Sequence, residues 1–198
     1  GQTAHVTDIR SHPGFDTVDG LNLAFDIALV GLDGADVAAW GSVMPAGSAT
    51  TAPAAGTAAT VVGFGESADG VGGGQRRSGT VAMSQYIGGE GPIGVLIPDA
   101  FIETVGVGAF NQYFCPGDAG GPLLDQGRVV GVASFRFEAT CNAEGPAYYV
   151  NVARLSGWID ETLRAMDPKH NVPEPAPMLL VALALAAAQR ARRAHATA

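Results

Sequence analysis

What this sequence has little of narrows its reading first. No CxxC, HExxH or comparable ligand spacing occurs, so no metal site is expected, and no motif asks for a cofactor. Basic residues are scarce: eleven Lys and Arg stand against nineteen Asp and Glu, and charged residues make up only 15% of the chain. The shortage is sharper in the body. From Pro173 onward there are three Arg and one Glu, which leaves eight basic against eighteen acidic residues before it, a net of −10. A body that acidic repels phosphate backbones, so nucleic acid is excluded as a partner. An initiating Met is missing as well, and the chain starts at Gly1 without a signal peptide. Processing or truncation is expected to have removed the true beginning. Cysteine is limited to Cys115 and Cys141, a pair compatible with one disulfide or with two unrelated thiols.

What is present reads as all-β. Apolar residues make up 47% of the 198, enough for a packed core and too many for general disorder. Glycine occurs 28 times and proline 12 times, with short Val-rich and Ala-rich runs between them. That pattern favours many short strands joined by turns. Strands are expected at Val6–Arg10, Ala24–Leu32, Thr60–Phe64, Val129–Ala133 and Tyr148–Val152, and weaker ones at Gly79–Ser84 and Val95–Pro98. Val43–Thr60 reads as an extended connector and Gly65–Gly74 as a flexible hairpin tip, with Arg76-Arg77 as its solvated shoulder. The glycines of Gly63–Gly74 lack the following helix and the lysine of a phosphate-binding loop. Leu155, Trp158, Ile159, Leu163 and Met166 fall at helical spacing, so Ala153–Met166 is expected as an amphipathic helix, stopped by Pro168.

The most informative peptide is Cys115-Pro116-Gly117-Asp118-Ala119-Gly120-Gly121-Pro122-Leu123, a tight loop that leaves backbone amides exposed. It resembles the nucleophile loop of the chymotrypsin-like serine peptidases, Gly-Asp-Ser-Gly-Gly-Pro, with Ala119 standing where the serine belongs. Other segments carry the resemblance in the family's order. Phe25-Asp26-Ile27-Ala28-Leu29 is similar to the strand that supplies the triad carboxylate, and His12-Pro13 precedes it as a turn. Val62-Gly63-Phe64-Gly65 is similar to the opening of the second barrel, and Val130–Phe135 to the strand lining the substrate cleft. Tyr148–Val152 and Trp158-Ile159 match the last strand and helix.

Acyl transfer by this mechanism needs a hydroxyl nucleophile, an imidazole that takes its proton, a carboxylate that orients the imidazole, and N–H groups facing the oxyanion. The resemblance makes Asp26 the carboxylate. A charge inside so apolar a run is costly to bury without a partner. The imidazole is missing: only His5 and His12 precede Asp26, neither lies in an Ala-Ala-His-Cys context, and His12 reads as an exposed turn residue. The nucleophile is missing too, because a methyl group forms no acyl-enzyme. Ser134 does not replace it, since the family's serine at that place supports the carboxylate. Gly117 and Ala119 keep the N–H groups of an oxyanion hole. Asp118 is implied as the partner of the amino terminus released on activation.

The implied substrate pocket comprises Tyr113, Phe114, Ser134, Phe135 and Arg136. Tyr113 stands six residues before Ala119, where trypsin has an acid, and Arg136 stands where many members have Gly. The expectation is a narrowed cleft with no preference for Lys or Arg. Cys115 and Cys141 match the family's disulfide beside this pocket; closing a loop of 26 residue steps, it contributes roughly 3–4 kcal/mol on a chain-entropy estimate.

The tail has its own pattern. Val172-Pro173-Glu174-Pro175 is followed by eleven apolar residues, Met178–Ala188, and then by Arg190, Arg192 and Arg193. A helix of that length reaches only about 16 Å, short of a ~30 Å hydrocarbon core. By length alone it is a core helix or a signal-like segment, but the arginines after it place the extreme C-terminus in the cytoplasm. The arrangement resembles the PEP-CTERM sorting signal, with Pro173, Glu174 and Pro175 as its motif. That resemblance implies recognition by exosortase, a short apolar helix in transient contact with the membrane, and delivery to the cell surface or extracellular matrix of a Gram-negative bacterium. Export permits the disulfide.

The expected architecture is a chymotrypsin-like double β-barrel whose first barrel is truncated. Residues 1–48 form the remnant of that barrel, 49–167 the second barrel with its helix, and 168–198 a linker and the sorting signal. Three functions stay open: a serine endopeptidase family member seen in part, a pseudoprotease that binds a peptide or protein ligand, and a surface structural scaffold.

Overall fold

The computed structural model describes residues 4–15, 23–33, 52–90, 95–107, 113–138, 140–141 and 144–166. The chain divides into two units, Gly1–Thr162 and Leu163–Ala198. Of the second, only 163–166 are described, so the expected sorting helix and the motif Pro173–Pro175 lie outside the described residues.

Eight strands are present among the described residues: β1 Val6–Ser11, β2 Ala28–Leu32, β3 Ala58–Gly63, β4 Arg77–Glu90, β5 Leu96–Gly106, β6 Pro122–Asp125, β7 Arg128–Arg136 and β8 Ala147–Asn151. The last six close into an antiparallel barrel in the order β3-β4-β5-β8-β7-β6, with β6 returning to β3 through Thr60↔Leu124 and Val61↔Leu123. The first two form a separate antiparallel pair, Ile9 opposite Val30 and Ser11 opposite Ala28. The expected double barrel is therefore represented by one closed barrel and one two-stranded piece.

Strand alternation builds the barrel interior. Ala59 and Val61 of β3, Val81 and Met83 of β4, Ile102 of β5, Leu123 of β6 and Tyr149 of β8 all turn inward. β8 departs from alternation, with all five residues buried. Its outward residue Val150 lies beneath a second cluster that includes Ala24, Phe101, Val152, Leu155 and Ile159. A strand covered on both faces has no polar side to show.

Several elements differ from their sequence expectation. Ala24–Leu32 is not one strand: Leu23–Phe25 forms a 3-10 turn and the strand begins at Ala28. β4 extends to Glu90, because register shifts between Met83 and Gln85 and between Ile87 and Gly89 let a 14-residue strand bend around the barrel. A Cβ at Gly89 would press on the Phe101 ring and on Ala24, so the glycine lets the N-terminal segment cross there. β6 has four residues and was not expected; Pro122 occupies its first position, where a missing N–H is tolerated. Its hairpin to β7 turns on Gln126 and Gly127, both at positive φ, the geometry of a two-residue turn. The C-terminal helix α1 spans Ser156–Met166 and is preceded by a 3-10 turn, Val152–Leu155, capped by the buried Asn151 side chain accepting from Ala153 N–H.

Candidate active-site cleft

The loop from Cys115 to Pro122 is held by backbone geometry. Gly117 and Gly120 have φ of 90° and 81°, where a side chain would be strained. Asp118 N–H donates to Cys115 O at 3.0 Å, and Gly121 N–H donates to Asp118 O at 2.8 Å. Gly120 N–H reaches Ala133 O on β7 at 2.8 Å, and Ala133 N–H returns to Gly121 O at 2.9 Å. The loop is thereby laced to the strand beside it. Among the described residues, neither Gly117 nor Ala119 donates its N–H to a backbone carbonyl, and Ala119 is exposed.

The Asp118 carboxylate turns away from Ala119 and under the loop. It accepts from Gly65 N–H at 2.6 Å and from Cys115 N–H at 2.8 Å. Gly63 and Gly65 are required there, since a Cβ at Gly65 would lie 2.6 Å from Pro116 O and 2.7 Å from Asp118 Oδ1. Behind the loop is a cavity of about 240 Å³, lined by Asp118, Tyr113, Cys115, Arg77 and Tyr149 among others. The Tyr149 hydroxyl is buried there with no hydrogen-bond partner among the described residues. Burial, and then the nearby Asp118 charge, push the phenol well above its ordinary range.

Asp26 lies just before β2, in the piece outside the barrel. Its carboxylate accepts a 2.7 Å hydrogen bond from Ser134 Oγ on β7, across 108 residues of sequence. The two histidines upstream are engaged elsewhere. His5 pairs with Asp33 at the exposed end of the β1–β2 pair, Nδ1 to Oδ2 at 3.2 Å. His12 is not the exposed turn residue that its sequence context suggests. It is half-buried, stacked on Phe25 at 4.4 Å between ring centroids and tilted against Trp158 at 4.8 Å. Its Nδ1 accepts from Gly14 N–H, which fixes the neutral ring, and burial holds its pKa below the usual 6.5.

Tyr113, Phe114 and Arg136 meet. Arg136 Nη1 donates to Phe114 O at 3.0 Å, and the guanidinium carbon stands 4.8 Å from the Tyr113 ring centroid. Ser134 and Phe135 precede Arg136 on β7, and Phe135 stacks on Tyr148 at 4.8 Å. Cys115 and Cys141 form a disulfide with Cα atoms 5.1 Å apart.

Sequence reasoning missed three contributors. Arg77 is half-buried rather than solvated: its guanidinium donates to Gly72 O at 2.5 Å and to Gly65 O at 3.3 Å, fastening the glycine-rich turn. Arg76, beside it, is exposed as expected. Glu138 stands next to Arg136, 3.8 Å from its Nε. Phe137 continues the aromatic row of Phe135 and Tyr148 and is 77% exposed. The Phe-Arg-Phe alternation at the end of β7 was the available signal for that row.

Known proteins match the same parts. Neuropsin, a serine protease expressed in the limbic system of mouse brain, has a TM-score of 0.64 at 21% identity, over 82% of this chain and 72% of that one. Human heparin binding protein has a TM-score of 0.63 at 26% identity, over 89% of this chain and 70% of that one. The fold is that of the chymotrypsin-like serine proteases. Residues 1–159 match the family model described as Trypsin, and residues 171–193 the one described as the PEP-CTERM protein-sorting motif. The chain belongs to the trypsin family and carries a PEP-CTERM sorting motif. Kallikrein-14 of Homo sapiens is 38% identical over 50 residues, 25% of this chain and 19% of that protein. Trypsin epsilon of Drosophila erecta is 39% identical over 54 residues, 27% of this chain and 21% of that protein. The matched stretch spans about a fifth of the length of these curated relatives. The sorting motif implies processing by an exosortase, and together with the disulfide it points to an exported protein.

Proposed function

We propose that this chain holds polypeptide in a peptidase cleft without cleaving it, after export to the surface or extracellular matrix of a Gram-negative bacterium. The observation that carries the reading is Ala119: a methyl group stands in a loop held by glycines at positive φ and laced to β7, a form that suits a nucleophile loop. No acyl-enzyme forms without a hydroxyl or thiol at that place. The Asp26 carboxylate is satisfied by Ser134, and His5 and His12 are bound to other partners, so among the described residues no imidazole stands ready to take a proton.

The binding parts are kept. Gly117 and Ala119 supply the two N–H groups suited to a ligand carbonyl. Phe137, exposed beyond the end of β7 and backed by Phe135 and the buried Tyr148, suits apolar side chains of an extended peptide. The Asp118 carboxylate, beside the cavity, suits the ammonium group of a released amino terminus. Heparin, which the human neighbour's name specifies, does not carry over, because a body of net charge −10 repels a polyanion. In this reading 1–48 and 49–167 form the cleft from its two sides and 168–198 addresses it.

The experiment is titration of the full chain with an unfolded probe, reduced and carboxymethylated α-lactalbumin, followed by fluorescence anisotropy and by mass spectrometry of the probe. Saturable binding with the probe mass unchanged is expected. Fragments of the probe would overturn the non-cleaving reading, and absence of binding would favour a structural scaffold.

A further inference from the structure

The outer edge of the β1–β2 pair carries its own complement. Among the described residues β1 has β2 on one side and no strand on the other. Such an edge presents a row of backbone N–H and C=O groups to any strand that can match it. The side chains along it are sorted by face. Val6 stands opposite Leu32 and Ile9 opposite Val30, and the register shift between Val6 and Asp8 brings all four to one side of the sheet. Each of the four is between 39% and 61% exposed, so they form an apolar strip at the surface. The other side carries Asp8 and Arg10, joined by a 2.9 Å bond from Arg10 Nε to Asp8 Oδ2, and Leu29, which packs on the cluster of Ala24, Phe101 and Val150.

The sequence of β1 matches itself in one register. When a second copy pairs antiparallel about a two-fold axis at Ile9, Asp8 falls opposite Arg10 of the second copy, and Arg10 opposite its Asp8. Four charges then alternate on one face. On the other face Ile9 meets Ile9, flanked by Val30 of both copies. An axis at Asp8 or at Arg10 sets like charges against each other. An axis between two residues lays the apolar face of one copy beside the charged face of the other. We propose that the outer edge of β1 is a docking edge for a second copy of this chain, which joins about Ile9 into a four-stranded sheet of two-fold symmetry. The edge is short and each body carries a net charge of −10, so the association is weak. It is expected at physiological salt, where repulsion between the bodies is screened beyond about 8 Å.

Sedimentation equilibrium of the full chain at about 0.15 M salt, from about 10 μM to about 1 mM, is the test. The wild type is expected to pass reversibly from monomer to dimer in this range. Asp8→Arg alone and Arg10→Asp alone each set two like-charge pairs across the axis, and each is expected to weaken self-association at least about tenfold. An equimolar mixture of these two variants restores opposite charges at both positions and is expected to give a mixed dimer. The double variant D8R with R10D is expected to dimerise as the wild type does. A wild type that stays monomeric to about 1 mM overturns the proposal. So does a dimer that both single variants form as tightly as the wild type, the result of association through the tail or another face. Recovery in the mixture and in the double variant separates loss of pairing from loss of fold, and failure of both to recover contradicts the register. The dimer asks nothing of the cleft, so its absence leaves the polypeptide-holding reading standing, and loss of that reading leaves the dimer intact.

Discussion

The closed barrel and the β1–β2 pair are made of similar residues and are stabilised very differently. In the barrel every strand has two hydrogen-bonded neighbours, and Val81, Met83, Ile102 and Leu123 have no exposed surface. In the pair Val6, Ile9 and Val30 are all more than half exposed, and each strand has a single neighbour among the described residues. Two strands alone bury too little to stand by themselves in water. What ties this piece to the barrel is the segment between its strands: Ala24 packs under Gly89 and Phe101, Phe25 holds His12 against Trp158, and Asp26 is bound by Ser134. The carboxylate of the candidate site thus sits on the weaker region, and Ser134, whose hydroxyl binds it, sits on the stronger one.

Substitutions can break that contrast or sharpen it. Met83→Ala is expected to cost about 2–5 kcal/mol in denaturant unfolding, by lost burial and the cavity left behind. Ile9→Ala, on an exposed strand, should change stability by no more than about 0.5 kcal/mol. Equal costs would erase the distinction. Removing the disulfide with Cys115→Ser and Cys141→Ser is next, at roughly 3 kcal/mol for a closed loop of this size, read by the same unfolding curve. Gly65→Ala forces a methyl group into Pro116 O and the Asp118 carboxylate; thermal unfolding should report a loss of about 1–3 kcal/mol. Ser134→Ala removes the bond to Asp26 and should cost about 1 kcal/mol, the usual net value of one hydrogen bond. Its sharper readout is hydrogen exchange: the Asp26 and Ile27 amides should exchange faster while Ala133 N–H on β7 is unchanged.

The smallest effect is that of pH. Burial lowers the His12 pKa, so the unfolded chain takes up a proton before the folded one does. The stability His12 contributes is complete above its ordinary value of 6.5 and is lost as pH falls below it toward the folded pKa. Melting temperatures measured between about pH 7 and pH 5 should therefore fall less steeply for His12→Gln than for the wild type.

Much of this was legible in the residues. The loop around Ala119, the Asp26 segment and the strands β3, β7 and β8 have local signatures of glycine punctuation, apolar runs and aromatic or β-branched content. β6 was not legible, because four residues after a proline carry no period. The length of β4 was hidden as well, since its two bulges break the alternation that would have marked it. His12 and Arg77 were misread for a related reason: each stands where a strand meets a turn, and its partners depend on how the chain folds back, Phe25 and Trp158 against His12 and the carbonyls of Gly65 and Gly72 on Arg77. Arg136 was legible as a change in the cleft, but the direction of its side chain depends on Phe114, Tyr113 and Glu138 together.

The proposal that Ala119 stands where a nucleophile would is the central one, and covalent labelling addresses it directly. The full chain and its Ala119→Ser variant would be treated with a fluorescent fluorophosphonate and compared with active trypsin under the same conditions. Neither protein is expected to be labelled, because the wild type has no hydroxyl at position 119 and, among the described residues, the variant has no imidazole placed to activate one. Labelling of the wild type at any residue, or labelling of the variant at the rate of trypsin, would contradict the account.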